Sequence, residues 1–307
     1  MIVGARFPGR VILAIGLLTA LAGRASAQGL SASAARYWKV VEDALGRKGT
    51  PNPGNVLKFA FPRSDLAVVL KGVTLKPAFA LGSWVAFHRI GDHVMAMGDL
   101  VLLDDEVESV MASLQQNGIE QTALHNHLLG ESPHVMYMHI RAIGNPGRIA
   151  RAVRAALEFT KTPLAQAAAV PPTPLDLDTT AIAKIIGVRG KANGGVYQLS
   201  IPRREKIHPD KNDKTEIPAA MGIATAINFQ STGAGKAAIT GDFVLLGREV
   251  NSVIWALNEA GIQVTALHSH MIGEEPRLYF MHFWAIDDAT KLARGLKSAL
   301  DRTRPRG

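Results

Sequence analysis

Cysteine is absent from all 307 residues. That excludes disulfides, thiolate zinc sites, iron–sulfur clusters, cysteine nucleophiles and lipid attachment through cysteine, so any metal must be held by His, Asp or Glu. Aromatic residues make up only 6% of the chain, and the lysines and arginines are spread along it, so no stacking surface for nucleic acid is expected. Beyond residue 27 no apolar run reaches the roughly 18 residues of a membrane span, so no transmembrane segment is expected there. Also missing are a phosphate-binding G-x-x-x-x-G-K-[ST] loop, a G-x-G-x-x-G turn after a strand, a G-x-S-x-G elbow and an H-E-x-x-H helix. Nucleotide and flavin cofactors are therefore not expected.

What is present begins with a targeting pattern. Arg6 and Arg10 with no acid, the uncharged run from Val11 to Gly23, and Arg24-Ala25-Ser26-Ala27 read as a secretory signal peptide cut after Ala27. The expected location is periplasmic or secreted. Cleavage removes three arginines and no acid, lowering the formal charge from +8 to +5. Length alone predicts two domains, and 47% apolar residues is ample for two cores.

A duplication defines those domains. Gly98–Ile143 aligns without a gap to Gly241–Ile286, with 24 identities in 46 positions. Upstream, Val56–Arg63 resembles Val196–Arg203. The expected plan is a signal peptide at 1–27, a first repeat at 28–164, an Ala/Pro-rich linker at 165–175 and a second repeat at 176–307. Within a repeat, Val56–Phe61, Trp84–Ile90 and Val94–Leu103 read as strands. Asp104 or Asp105 then caps a helix whose Val107, Val110, Met111 and Leu114 recur at helical spacing. A strand at Ile119–His127, a turn at Leu129–Pro133, a returning strand at Val135–Ile143 and a closing helix complete the unit. The fold class is α+β: two homologous domains, each an antiparallel sheet with helices packed on one face.

The chemistry concentrates in one duplicated block. The first copy has Thr122-Ala123-Leu124-His125-Asn126-His127, then Gly130-Glu131-Ser132-Pro133 and His139. The second has Thr265-Ala266-Leu267-His268-Ser269-His270, then Gly273-Glu274-Glu275-Pro276 and His282. Side chains alternate along a strand, so His125 and His127 share a face, as do His268 and His270. A hairpin would bring His139 or His282 beside them, with Glu131 or Glu274 at the mouth. Three imidazoles and a carboxylate suit a divalent zinc, copper, iron or nickel ion.

Three uses are compatible with this set. One is metal binding through His125, His127, Glu131, His139, His268, His270, Glu274 and His282. Another is a metal-dependent hydrolase or oxygen-using enzyme acting on a small periplasmic substrate, with Glu131 and Glu274 as candidate bases. The third is a binding or interaction module whose histidines contact a small polar or anionic ligand, or serve only the fold. His88 and His93 lack counterparts and are expected at the surface, and His134 at a rim. Met95, Met97, Met136 and Met138 are expected to fill the core. Gly98-Asp99 and Gly241-Asp242 are expected to support the backbone or a histidine.

The paired T-A-L-H-[NS]-H-x-x-G-E-x-P-x(5)-H blocks follow a G-D-[LF]-V-L-L strand and a V-x-x-V-x-x-L helix. Together they resemble the LppY/LpqO family of exported bacterial proteins, also called DUF1259, over about Tyr37 to Leu300. The resemblance implies an exported protein without an assigned reaction. Named members are lipoproteins; with no cysteine to lipidate, that attachment is not implied here.

Overall fold

The computed structural model describes Met1, residues 32–166 and residues 174–303. The signal-peptide segment 1–27, Met1 apart, and residues 167–173 of the expected linker lie outside the described residues. The first copy runs α1 (Ala32–Leu45), β1 (Thr50–Asn52), β2 (Val56–Pro62), β3 (Val69–Leu70), β4 (Val73–Thr74), α2 (Pro77–Ala80), β5 (Gly82–Ile90), β6 (His93–Leu103), α3 (Val107–Gln116), β7 (Glu120–His125), β8 (Val135–Gly144) and α4 (Pro146–Leu157). The second runs α5 (Thr179–Ile186), β9 (Lys191–Asn193), β10 (Val196–Pro202), β11 (Ala224–Gly233), β12 (Lys236–Leu246), α6 (Val250–Glu259), β13 (Gln263–His268), β14 (Leu278–Asp288) and α7 (Ala289–Leu300).

Each copy is α+β, with a six-stranded antiparallel sheet. The orders are β1-β2-β5-β6-β8-β7 and β9-β10-β11-β12-β14-β13, so the two sheets repeat one another. Helices α1 and α5, which open the copies, are additions to the expected plan. The helix expected from Asp104 opens instead on a short 3₁₀ turn, Asp104–Glu106. There Glu106 Oε2 accepts the Leu103 amide at 2.9 Å. Strand β7 ends at His125 rather than His127, because Asn126 turns the chain by donating its side-chain amide to Leu128 O at 2.7 Å.

Strand alternation sorts residues onto two faces. On β6, Val94, Ala96, Leu100 and Leu102 join the core beneath the helices, together with Val41 of α1, Leu114 of α3 and Val153 of α4. The second copy repeats this with Ile239, Phe243, Leu245, Phe283 and Leu296. The opposite sheet faces pack on each other. One apolar cluster joins Val56, Ala86, Met95 and Met97 to Ile223, Val244, Met271 and Phe280. A second joins Phe79, Val101 and Tyr137 to Val196, Ala238 and Trp284. The layers therefore run helix, sheet, sheet, helix, with apolar contact on both sides of each sheet.

Arms between β2 and β5 in the first copy and between β10 and β11 in the second reach across the seam. Gln198 Nε2 donates to Ala78 O at 2.7 Å, Gln230 Nε2 donates to Thr74 O at 2.8 Å, and Phe79 meets the Trp284 ring edge-on. From the second copy, Ile207, Ile217 and Met221 join the cluster containing Val56 and Met95. Each arm also bridges its own Gly-Glu-x-Pro turn, Val69 to Ser132 and His208 to Glu275. In both turns the x-Pro bond is cis.

A duplicated buried ion pair ties strand to helix. Arg63 donates to Glu106 at 2.6 Å and to Val101 O at 2.8 Å; Arg203 donates to Glu249 at 2.8 Å and to Val244 O at 2.7 Å. The Arg63 side chain is wholly buried. Removing one partner strands the other charge, at a cost of about 3–5 kcal/mol. Arg63→Met should lower the urea unfolding free energy by that amount, and Arg63→Met with Glu106→Leu should recover only part of it, because the Leu103 and Lys161 amides lose their acceptor and Asp65 its arginine. A loss below about 1 kcal/mol for the single variant would show that the pair is not needed.

Candidate metal centre

The histidines lie on the sheet faces that meet. On β8, Met138 and Ile140 point to the helices, which turns Tyr137 and His139 toward the other copy. In the β7–β8 pairing His125 lies opposite Tyr137 and Ala123 opposite His139, so the expected hairpin forms and carries three imidazoles together. The second copy matches it, with His268 opposite Phe280 and Ala266 opposite His282.

Face-to-face packing of the sheets then brings all six histidines into one cluster. Equivalent residues His125 and His268 stack with ring centroids 3.5 Å apart. His127 stacks on His282 at 3.7 Å, and its counterpart His270 stacks on His139 at 3.6 Å. These pairs interchange under the repeat, so the cluster has a pseudo-two-fold axis between His125 and His268. Tyr137 backs His127 at 3.3 Å and Phe280 backs His270 at 3.4 Å. Two crossed hydrogen bonds clamp the arrangement. Thr122 Oγ1 donates to His270 O and Thr265 Oγ1 donates to His127 O, each at 2.6 Å. Both threonines open the duplicated motif, and their role across the copies was not evident from it.

Nitrogen lone pairs are the unusual feature. All six Nε2 atoms are buried and have no hydrogen-bond partner among the described residues. Meanwhile Nδ1 of His125 lies 3.1 Å from Asn126 O and Nδ1 of His282 lies 2.9 Å from Gly241 O. A carbonyl can only accept, so these two Nδ1 atoms carry the proton and the Nε2 atoms of His125 and His282 present lone pairs. The ligand atoms of His125, His127 and His139 lie within 4.8 Å of one another, as do those of His125, His268, His270 and His282. These groups are positioned to hold a metal ion.

Electrostatics keep the imidazoles neutral. Burial, helped for His268 by the neighbouring His125, holds His125 down at about 4 and His268 at about 3. Burial and mutual repulsion push His127, His139, His270 and His282 well below the ordinary range. Neutral imidazole is the form that binds metal.

Two aspartates approach the cluster. Asp99, directly across β6–β8 from His139, places Oδ2 3.7 Å from His127 Nε2 and Oδ1 3.9 Å from His139 Nε2. Asp242 Oδ2 lies 3.6 Å from His270 Nε2. Burial raises Asp99 to about 7 against the pull of Lys58, and raises Asp242 well above the carboxylate range, reinforced by Asp99. Lys58 itself lies over the Trp84 ring at 3.8 Å and is drawn down to about 8 by burial. The preceding glycines are needed for close strand approach: a Cβ on Gly98 would meet Trp84 O at 2.7 Å, and one on Gly241 would collide with Ala226 O.

Glu131 and Glu274 stand apart from both histidine groups. Glu274 Oε1 accepts the Leu278 amide at 2.9 Å and Glu131 Oε1 faces the Val135 amide at 3.4 Å, so both hold the turn. His134 pairs with Asp104 at 2.9 Å and His88 with Gly54 O at 2.8 Å, away from the cluster. Met95, Met97 and Met138 are buried in apolar clusters.

The fold and site define a tandem α+β protein with one histidine cluster at the seam of its two copies. The family model described as Domain of Unknown Function (DUF1259) matches residues 39–159 and 180–302, and the chain belongs to this family with two copies. No functionally curated protein matches it significantly. Among solved structures it is similar to a trimeric bacterial microcompartment shell protein, PduB, at 13% identity over 83% of this chain and 89% of that one, with a TM-score of 0.21. It is also similar to EtuB from Clostridium kluyveri at 12% identity over 82% of this chain and 90% of that one, also with a TM-score of 0.21. At such scores the likeness carries no structural argument. Among the described residues no helix is long and apolar enough to cross a membrane.

The cluster makes stability depend on pH. Unfolded histidines take up protons near 6.5, whereas His125 and His268 in the fold do so only near 4 and 3. Below 6.5 the unfolded chain binds more protons, so stability falls with pH, by up to about 1.4 kcal/mol per unit for each histidine. Asp99 opposes this between about 7 and 3.8, being protonated only in the fold. For the metal-free protein the urea midpoint should drop steeply from pH 6.5 to 4, and His125→Leu with His268→Leu should flatten that drop. An unchanged slope would contradict the burial of neutral imidazoles.

Proposed function

We propose that the protein is exported and binds a divalent transition metal at the seam between its two copies. The observation that carries this reading is the set of six buried Nε2 atoms without a hydrogen-bond partner among the described residues. Leaving a buried polar atom unpaired costs about 1–3 kcal/mol, and six such atoms at one point are what a metal ion would offset. An all-imidazole set favours zinc, copper(II), nickel or iron(II) over calcium or magnesium. Copper(I) is disfavoured, since Met95, Met97 and Met138 belong to apolar clusters. Export rests on the basic, apolar and A-x-A succession of residues 1–27.

The reading stops at binding. Glu131 and Glu274, the residues suited to act as bases, hold turn amides through Oε1 and stand apart from both histidine groups, so neither is placed to activate a water on an ion held there.

Protein recovered from the periplasm should contain stoichiometric metal by elemental analysis. His125→Leu with His268→Leu should remove it while the metal-free protein keeps or gains thermal stability, because two unpaired buried nitrogens are replaced by apolar groups. Adding the native metal at about 1,000 times its Kd should stabilise the wild type by about 4 kcal/mol and leave the variant unchanged. A wild type without metal and without a thermal response would contradict the reading.

A further inference from the structure

The six histidines are too widely spread for one ion. At metal–nitrogen bonds of about 2.1 Å, two ligands of one ion cannot be more than about 4.2 Å apart. The two histidine groups share only His125, so the six ligand atoms do not all fall within even 4.8 Å of one another. Each copy supplies three of them, His125, His127 and His139 from the first and His268, His270 and His282 from the second, with His125 within reach of both groups.

A carboxylate accompanies each set. Asp99 belongs to the first, with contacts of 3.7 and 3.9 Å to the Nε2 atoms of His127 and His139; Asp242 belongs to the second, 3.6 Å from His270 Nε2. Ligands of a tetrahedral zinc-type ion are about 3.4 Å apart, so these three contacts need to close by only a few tenths of an ångström, although each aspartate must turn further to join a whole histidine set, since neither stands within 4.8 Å of every member. At 3.6–3.9 Å none of these contacts is a hydrogen bond, so the ring nitrogens and the carboxylates leave one another unpaired. Each aspartate also keeps a buried Oδ1 with no hydrogen-bond partner among the described residues. A cation is the group that answers all of these atoms together.

We propose that the seam holds two metal ions, one ligated by Asp99, His125, His127 and His139 and the other by Asp242, His268, His270 and His282. This rests on the metal-binding reading above and adds the count and the carboxylate ligands. Each set supplies three imidazoles and one carboxylate from a single copy, and the pseudo-two-fold axis relates the two ions.

Titration of the metal-free full chain with Co2+, followed by visible d–d absorption and by elemental analysis after desalting, distinguishes the possibilities. Two equivalents per chain are expected in the wild type. Asp99→Ala and Asp242→Ala should each retain one, and the remaining absorption should keep the intensity per ion of a low-coordinate site. Circular dichroism of the metal-free variants checks the fold; should either variant fail to fold, the wild-type stoichiometry decides alone. One equivalent in the wild type, unaltered in both variants, would overturn the paired site while leaving the single-ion reading intact. No bound Co2+ at all would overturn both.

Discussion

Six imidazole nitrogens enclosed between two apolar sheet faces carry a desolvation cost that the protein's own hydrogen bonds do not offset. The rest of the interface is arranged around that constraint. Tyr137 and Phe280 back the rings, Thr122 and Thr265 fasten each copy to a histidine carbonyl of the other, and apolar clusters flank the site. Apolar packing supplies the stability that lets a polar and unsatisfied centre persist. Burial, with repulsion among the rings added to it, keeps the histidines neutral, so the same feature that costs folding energy prepares the ligands.

Duplication explains why this is possible. A single copy has a helical face that its own helices cover and a second sheet face that is apolar at Met95, Val101 and Tyr137. Two copies in one chain cover these second faces with each other at high effective concentration. The reciprocal arms, residues 63–81 and 203–223, extend that coverage beyond the strands. Because the copies face one another about an axis through the His125–His268 pair, a ligand set encoded once in an ancestor becomes a double set at one location.

Much of this was legible in the sequence, and the remainder was not for identifiable reasons. The repeat, the strand and helix periodicities and the H-x-H hairpin with His139 are local features, and each corresponds to an element or pairing in the structure. Convergence of the two histidine sets depends on which sheet faces meet, and alternation along a strand does not encode its partner. Asp99, expected from the sequence to support the backbone or a histidine, is 26 residues from His125, and which histidines it approaches is set by the β6–β8 register that puts it opposite His139. Glu131 is close in sequence and looks like the ligand. Its position four residues before Val135 suits it instead to hold the turn, as Glu274 does for Leu278. Helices α1 and α5 precede the strongest part of the repeat, where the copies have diverged.

Anomalous diffraction at the absorption edge of the native metal, from crystals of the exported protein, tests the central claim most directly. The account predicts anomalous density at the seam, within bonding distance of Nε2 atoms from both copies' histidines. Density confined to the protein surface, or an empty seam in crystals grown from metal-replete protein, would contradict it.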